Sequence, residues 1–356
     1  MVDWTEKIMP NLKEAAYGEP ALRFIEAAAH LGSEPAHDFL RVLSVYSVYH
    51  GKEIIEKSDI DPIPSICDLL ERNTTFLKSG TGTIPHLNLS VSKKEFETVE
   101  QATGEHYGNL FSEFDEYFYF EEPVKLLRDR FERNELQLGK FQGKKALDAG
   151  CGGGRYTVAL RKIGFTEVVG IDISKPGLEN CRARLTQKGL NGIFYKEGNV
   201  LDLPFEDDTF DFVFSNGVLH HTKNLVKGIH ELVRVLKRGG HGFLYLIENP
   251  GGIYWDMIEV LRCVMKDIDF AYARAVFRML GVPANRRFFI LDHIMVPINI
   301  RSTCDEIEGW LKEAGASEFR RLKRGTDFDR VEQVYQNKPY AQLKFGVGDQ
   351  RYFFKK

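Results

Sequence analysis

The sequence predicts an α/β protein: a mostly parallel seven-stranded sheet with helices on both faces, preceded by a helical region. Three observations carry this prediction. From residue 144 onward, short apolar runs alternate with amphipathic helical segments, the pattern of parallel strands joined by crossover helices. The first apolar run, Ala146 to Ala149, enters a glycine-rich turn that opens a helix. Residues 1 to about 78 carry apolar residues at helical spacing and show no strand pattern.

In that N-terminal part, Leu22, Ile25 and Ala29 fall on one helical face, with Gly32 as a stop. Phe39, Leu43 and Tyr46 repeat the spacing before Gly51; Ile66, Leu69, Leu70 and Leu77 do so before Gly80. Residues 79–85 read as a linker, and another helix is expected near 93–102. An aromatic segment from Tyr107 to Phe120 leads into a helix that starts at Pro123 and carries Val124, Leu127 and Phe131 on one side. Strands are expected at about 145–149, 167–172, 193–197, 209–215 and 241–247, with helices at about 153–163, 175–189 and 223–238. Ser174 with Pro176 marks one helix start, and Gly239-Gly240 marks a helix end. Residues 250–300 break the rhythm and read as an inserted pair of helices forming a lid. A helix from Thr303 to Ala316 turns Ile307, Trp310 and Leu311 inward, and strands near 318–324 and 350–355 complete the sheet. The expected organisation is a helical region and linker (1–92), an aromatic cap segment (93–140) and an α/β domain (141–356) containing the lid.

Composition narrows the function. The chain has 356 residues, 43% of them hydrophobic and 28% charged, with a formal net charge of −3. No global basic field would draw it onto nucleic acid. The basic run Arg320-Arg321-Leu322-Lys323-Arg324 reads as a sheet edge kept soluble by charge. The five cysteines (67, 151, 181, 263 and 304) form no CxxC pair and have no histidine at metal-ligand spacing, so no metal site is expected. Their scatter suits a reducing cytoplasm. The first residues lack the apolar run of a signal peptide, and no apolar stretch reaches the roughly 20 residues a bilayer span needs.

In an open α/β sheet a ligand binds at the carboxyl ends of the strands, so those ends hold the chemistry. The first end is Asp148-Ala149-Gly150-Cys151-Gly152-Gly153-Gly154. The glycines remove Cβ atoms that would keep the backbone from a ligand. Asp148, two residues before the first glycine, would repel a pyrophosphate but suits an ammonium or sulfonium group. The loop therefore points to a cationic, nucleoside-bearing ligand such as S-adenosylmethionine. The second end places Asp172 about 20 residues on, where a carboxylate can take both ribose hydroxyls. The third runs Glu197-Gly198-Asn199-Val200, the fourth Ser215-Asn216 to His220-His221, and the fifth closes on Glu248-Asn249.

This ordered set resembles the class I S-adenosylmethionine-dependent methyltransferases, in particular the group holding small-molecule and quinone methylases. The resemblance covers 144–248 closely and 303–324 with 350–355 loosely, and it implies a Rossmann-like sheet. It implies that Asp148, Gly150, Cys151, Gly152 and Gly154 hold the methionine ammonium and its backbone, and that Asp172 binds the ribose. Ile173 would pack on the adenine, Asn199 would accept from its amino group, and Val200 would offer its N–H to the ring. Asn199 departs from the acid usual in the family, but an amide oxygen accepts the same bond. Ser215 and Asn216 would wall the methionine portion, and Tyr107 would lie over the cofactor. Arg155, where a third glycine would stand in a dinucleotide loop, argues against NAD or FAD.

Methyl transfer requires alignment and water exclusion, and a general base only when the acceptor is protonated. His220 and His221 are the candidate bases. Glu248, Asn249, Tyr254 and Trp255 are candidate acceptor contacts, the last two within the aromatic lid. The expected activity is transfer of a methyl group to a small, hydrophobic or lipid-like acceptor. Two alternatives stay open: a tRNA-base methyltransferase, which the histidine pair resembles but the charge disfavours, and a non-catalytic cofactor-binding scaffold. Oligomeric state is not legible.

Overall fold

The computed structural model describes residues 12–32, 35–80 and 115–356. The expected helix at 93–102 and Tyr107 lie outside the described residues. The chain divides into two units. Of the described residues, one unit comprises 12–32, 35–80, 251–295 and 337–346, and the other comprises 115–250, 296–336 and 347–356. Residues 251–295 thus group with the N-terminal helices.

The helical unit contains α1 (Gly18–Ala29), α2 (Pro35–Lys57) and α3 (Pro62–Ser79). Asp61 caps α3 by accepting from the Ile63 N–H at 3.0 Å, with Pro62 in its first turn. Ile66, Leu70 and Leu77 are buried as expected. The other two faces are rotated from the sequence expectation. α1 buries Ala21, Phe24 and Ala28, and α2 buries Leu40, Val42, Val45, Val48 and Tyr49. Gly51 ends nothing: α2 runs through it, because a Cβ there would lie 2.7 Å from the Leu69 side chain on α3. The small residue lets two helices approach, and tertiary packing overrides the local stop signal.

The inserted segment holds three helices rather than two: Gly252–Val264, Phe270–Met279 and Ala284–Met295. Phe270–Met279 is capped by Asp269, which accepts from the Tyr272 N–H at 3.0 Å. Lys52, 1% exposed, pairs with Glu56 at 2.7 Å and lies 3.9 Å from the Tyr254 ring centre, so its charge has both a partner and an aromatic face.

The α/β unit carries β1 (Lys145–Ala149), β2 (Glu167–Asp172), β3 (Ile193–Glu197), β4 (Phe210–Asn216), β5 (Leu236–Glu248), β6 (Arg301–Ser302), β7 (Glu318–Arg321) and β8 (Gln350–Lys355). The order is β3-β2-β1-β4-β5-β8-β7, with the two-residue β6 beside β5. β8 runs antiparallel to both its neighbours, and the other pairings are parallel. The seven expected strands make the continuous path; β6 is the addition.

Alternate residues of each strand enter two cores, as the pleat requires. Leu147 and Val213 meet Ile229, Leu232, Ile307 and Leu311 on one face. Ala146, Phe212 and Phe214 meet Leu127, Phe131, Leu160 and Ile163 on the other. Ser174 caps the helix Lys175–Lys188, and Thr303 with Glu306 forms a capping box on Cys304–Glu313. Gly239-Gly240 does not end a helix. The helix before it stops at Val235, and the glycines fall inside β5, where register shifts between Phe210↔Leu236 and Phe212↔His241. Gly239 adopts φ +76°, which a bulged strand accepts from glycine. β7 is the edge strand the basic run predicted, although Arg320 donates to the Asn134 carbonyl at 2.6 Å. Among the described residues no helix is long and apolar enough to cross a membrane.

Candidate active site

Parallel pairing brings five acid- or amide-bearing strand ends to one edge of the sheet. Asp148 is in register with Gly170 of β2 and Phe214 of β4, and Asn216 with Tyr245 of β5. Asp148 is 2% exposed and accepts from the Thr157 hydroxyl at 2.6 Å. Burial raises its carboxyl to about 7; the Thr157 bond works against that rise, and nearby Asp172 adds to it. Asp172, partly exposed, accepts from the Gly152 N–H at 2.8 Å and the Ser174 N–H at 2.9 Å, one bond to each oxygen. Burial pushes its carboxyl up as well, opposed by those backbone donors. Each oxygen keeps a further lone pair for a hydroxyl.

The glycine loop is fixed from within. Gly150 and Cys151 both donate to the Ile171 carbonyl at 2.9 Å. Gly150, Gly152 and Gly154 all have positive φ (81°, 50° and 77°), which side-chain-bearing residues avoid. A Cβ at 150 would sit 2.3 Å from Val218, and one at 154 would sit 2.3 Å from the Tyr195 hydroxyl. At those two positions glycine is required by the protein's own side chains. Cys151 is buried, and burial raises its thiol well above the ordinary range.

Asn199 Oδ1 accepts from the Leu201 N–H at 2.9 Å, an Asx turn that fixes the amide, and Val200 beside it is buried. Ile173 and Asn216 are half-buried and Ser215 is fully buried. His221 donates Nδ1–H to the Ile298 carbonyl at 2.8 Å, which makes Nε2 its basic nitrogen. His220 is 2% exposed, its ring 4.1 Å from that of His221, and its carbonyl accepts from the Ile300 N–H.

The remaining candidates are placed differently. Glu248 is fully buried and accepts from Arg330 Nε at 2.8 Å. Asn249 donates its N–H to the Ser302 carbonyl at 2.8 Å. Tyr254 and Trp255 belong to the helical unit and are 9% and 2% exposed, each with its ring against His293.

Sequence reasoning passed over the polar cluster around Glu248. Arg330 also donates to the Tyr245 hydroxyl at 3.1 Å and pairs with Asp349 at 2.8 Å. Asp329 accepts from Arg130 at 2.8 and 2.9 Å, Arg351 at 3.0 Å and the Thr326 N–H at 2.7 Å. The ion pairs join residues as far as 199 positions apart, which no local pattern encodes. The one available signal was charge at the start of β8, Asp349-Gln350-Arg351, where a buried strand should be apolar.

A family model described as a methyltransferase domain matches residues 147–244, from β1 to β5. A demethylmenaquinone methyltransferase of Halalkalibacterium halodurans is 30% identical over 190 residues, 52% of this chain and 72% of that protein. The chain belongs to the class I S-adenosylmethionine-dependent methyltransferases. The enzyme of the same name from Bacillus cytotoxicus is 29% identical over 168 residues, 46% of this chain and 71% of its own. Among solved structures, an S-adenosylmethionine-dependent methyltransferase from Mesorhizobium loti covers 64% of this methyltransferase at 18% identity and a TM-score of 0.41.

The methyltransferase uses S-adenosylmethionine as its cofactor, and the strand ends fit it. Asp148 is a buried carboxylate whose hydrogen-bond partner is a neutral hydroxyl, so a cation is the ligand that would let it ionise.

Proposed function

We propose that this methyltransferase modifies a small hydrophobic acceptor of the quinone class in its reduced, hydroxyaromatic form. The observation that carries the reading is the identity with demethylmenaquinone methyltransferases across the cofactor half of the fold. An oxidised quinone ring is electrophilic, whereas the hydroquinone has a nucleophilic carbon beside each hydroxyl. The near-neutral charge supports this acceptor over tRNA. Five scattered cysteines with no CxxC pair support a cytoplasmic setting.

When bound, S-adenosylmethionine supplies the methyl group from a sulfonium centre. In our reading Asp148 and the 150–154 loop hold its ammonium and backbone, and Asp172 takes the ribose hydroxyls. Ile173 packs on the adenine, whose edge meets Asn199 and Val200, while Ser215 and Asn216 wall the methionine. His221 removes the acceptor's hydroxyl proton through Nε2, held in the right tautomer by the Ile298 carbonyl. Once the ring carbon holds the methyl group, that carbon gives up its own hydrogen as a proton and the oxygen is reprotonated.

The test is incubation of the purified protein with methyl-labelled cofactor and, separately, 1,4-dihydroxynaphthalene, tRNA or a protein extract. Label is expected in the naphthalene product; label in RNA alone overturns the reading. His221→Ala is expected to lower turnover at pH 7 by about 10²–10⁴-fold with cofactor affinity intact. Raising the pH past the acceptor's own ionisation should restore much of the rate, and a pH-independent loss would exclude the base role.

A further inference from the structure

We propose that the Tyr245 hydroxyl is the hydrogen-bond donor that receives the acceptor's oxygen, a role that rests on the hydroxyaromatic reading above. Tyr245 lies near the end of β5, opposite Asn216 in register. A Cβ on Gly217 would meet its ring at 3.7 Å and His220 Cε1 at 3.9 Å, so Tyr245, Gly217 and His220 converge where β4 ends. Unlike Glu248 three residues on, which is fully buried, Tyr245 keeps part of its surface exposed.

Its hydroxyl is held from one side. Arg330 donates to it at 3.1 Å, and that guanidinium is itself fixed by Glu248 and Asp349, both at 2.8 Å. Arg351 lies over the ring, 5.1 Å from its centre. With an arginine donating to the oxygen, the phenolic proton points elsewhere. The bond from Arg330 also polarises the hydroxyl and strengthens it as a donor. Burial holds the phenol protonated well above its ordinary range; Arg330 and Arg351 oppose that rise while Glu248 and Asp349 reinforce it. Burial thus favours Tyr245 as a donor over a base.

Such a donor matches an acceptor with an ionisable or carbonyl oxygen next to the methylated atom. Donating to a phenol's oxygen favours the phenolate, the form whose neighbouring ring carbon is nucleophilic. It also fixes the ring's rotation, which alignment demands. An acceptor without that oxygen would gain nothing from the arrangement.

The experiment compares the full chain with Tyr245→Phe, each saturated with S-adenosylhomocysteine. Calorimetry measures binding of 1,4-dihydroxynaphthalene, kept reduced, and of naphthalene. The wild type is expected to prefer the diol at least tenfold, and Tyr245→Phe to reduce that preference to threefold or less. S-adenosylhomocysteine affinity should stay within twofold, which reports an intact fold. The rising limb of turnover against pH should move to higher pH in the variant, a change that loss of packing alone would not produce. Undiminished preference and an unmoved limb, with the wild type still methylating the diol, overturn the Tyr245 role and leave the acceptor class standing. A wild type that neither binds nor methylates the diol overturns the acceptor class and this role with it.

Discussion

Asp148 and Asp329 are both buried carboxylates of the α/β unit, 2% and 5% exposed, yet their surroundings are opposite. Asp148 has a threonine hydroxyl, and burial drives its carboxyl up to about 7. Asp329 has Arg130 and Arg351; burial pushes its carboxyl up, but the two arginines outweigh that and hold it well below the ordinary range. Asp349 follows Asp329, burial again being outweighed by Arg330 and Arg351. Burial is equal, so the partner makes the difference. A buried acid already paired with arginine has its charge balanced within the fold, whereas one whose partner is a neutral hydroxyl has not. Glu248 shows the value of the distinction. The sequence offers it as an acceptor contact, and the structure gives it to Arg330.

The largest effect that tests this contrast is Asp329→Asn, which leaves Arg130 and Arg351 buried against a neutral group. Removing one partner of a buried pair costs about 3–5 kcal/mol, measured as a loss of unfolding free energy in denaturant. A change below about 1 kcal/mol would mean the arginine cluster is not structural.

Asp148→Asn should act in the opposite sense. S-adenosylmethionine affinity is expected to fall by roughly tenfold to a hundredfold, the size of one charged hydrogen bond, by calorimetry. The free protein should melt no lower than the wild type and somewhat higher at pH 8. A melting point lowered as far as that of Asp329→Asn would erase the distinction.

The smallest effect is the pH dependence. The Asp148 carboxyl titrates at about 7 when folded against 3.8 as its ordinary value. Its contribution to the free protein's stability is therefore complete below about pH 4 and is lost as pH rises toward 7. A bound ammonium favours the ionised form, so cofactor affinity should rise from pH 5.5 to 7.5 with release of a proton, seen as a buffer-dependent enthalpy. Asp329 and Asp349 are depressed, so their contribution is present above the ordinary carboxylate range and lost only as pH falls beneath it. An affinity flat across pH 5.5–7.5 would show that Asp148 is already ionised in the free protein.

How far the sequence could be read follows the range of each interaction. The strands at 145–149, 167–172, 193–197 and 350–355 match β1, β2, β3 and β8, because period and turn residues are local. Gly80 and Ser174 were legible as helix boundaries for the same reason. Gly51 and Gly239-Gly240 misled because each answers to a distant partner, Leu69 on another helix and the shifted register of β4. The helical faces at 18–29 and 35–57 were misjudged because several apolar stripes are possible on one helix and only its neighbours choose among them.

By itself, then, the sequence determined the sheet, the glycine loop, and the acids at 148 and 172, since each is written within a few consecutive residues. Only the tertiary structure decided which acids are left without a cation. It brought Arg130 to Asp329 across 199 positions and Arg330 to both Glu248 and Tyr245. A carboxylate's role depends on the charge within a few ångströms of it, and folding alone sets that neighbour.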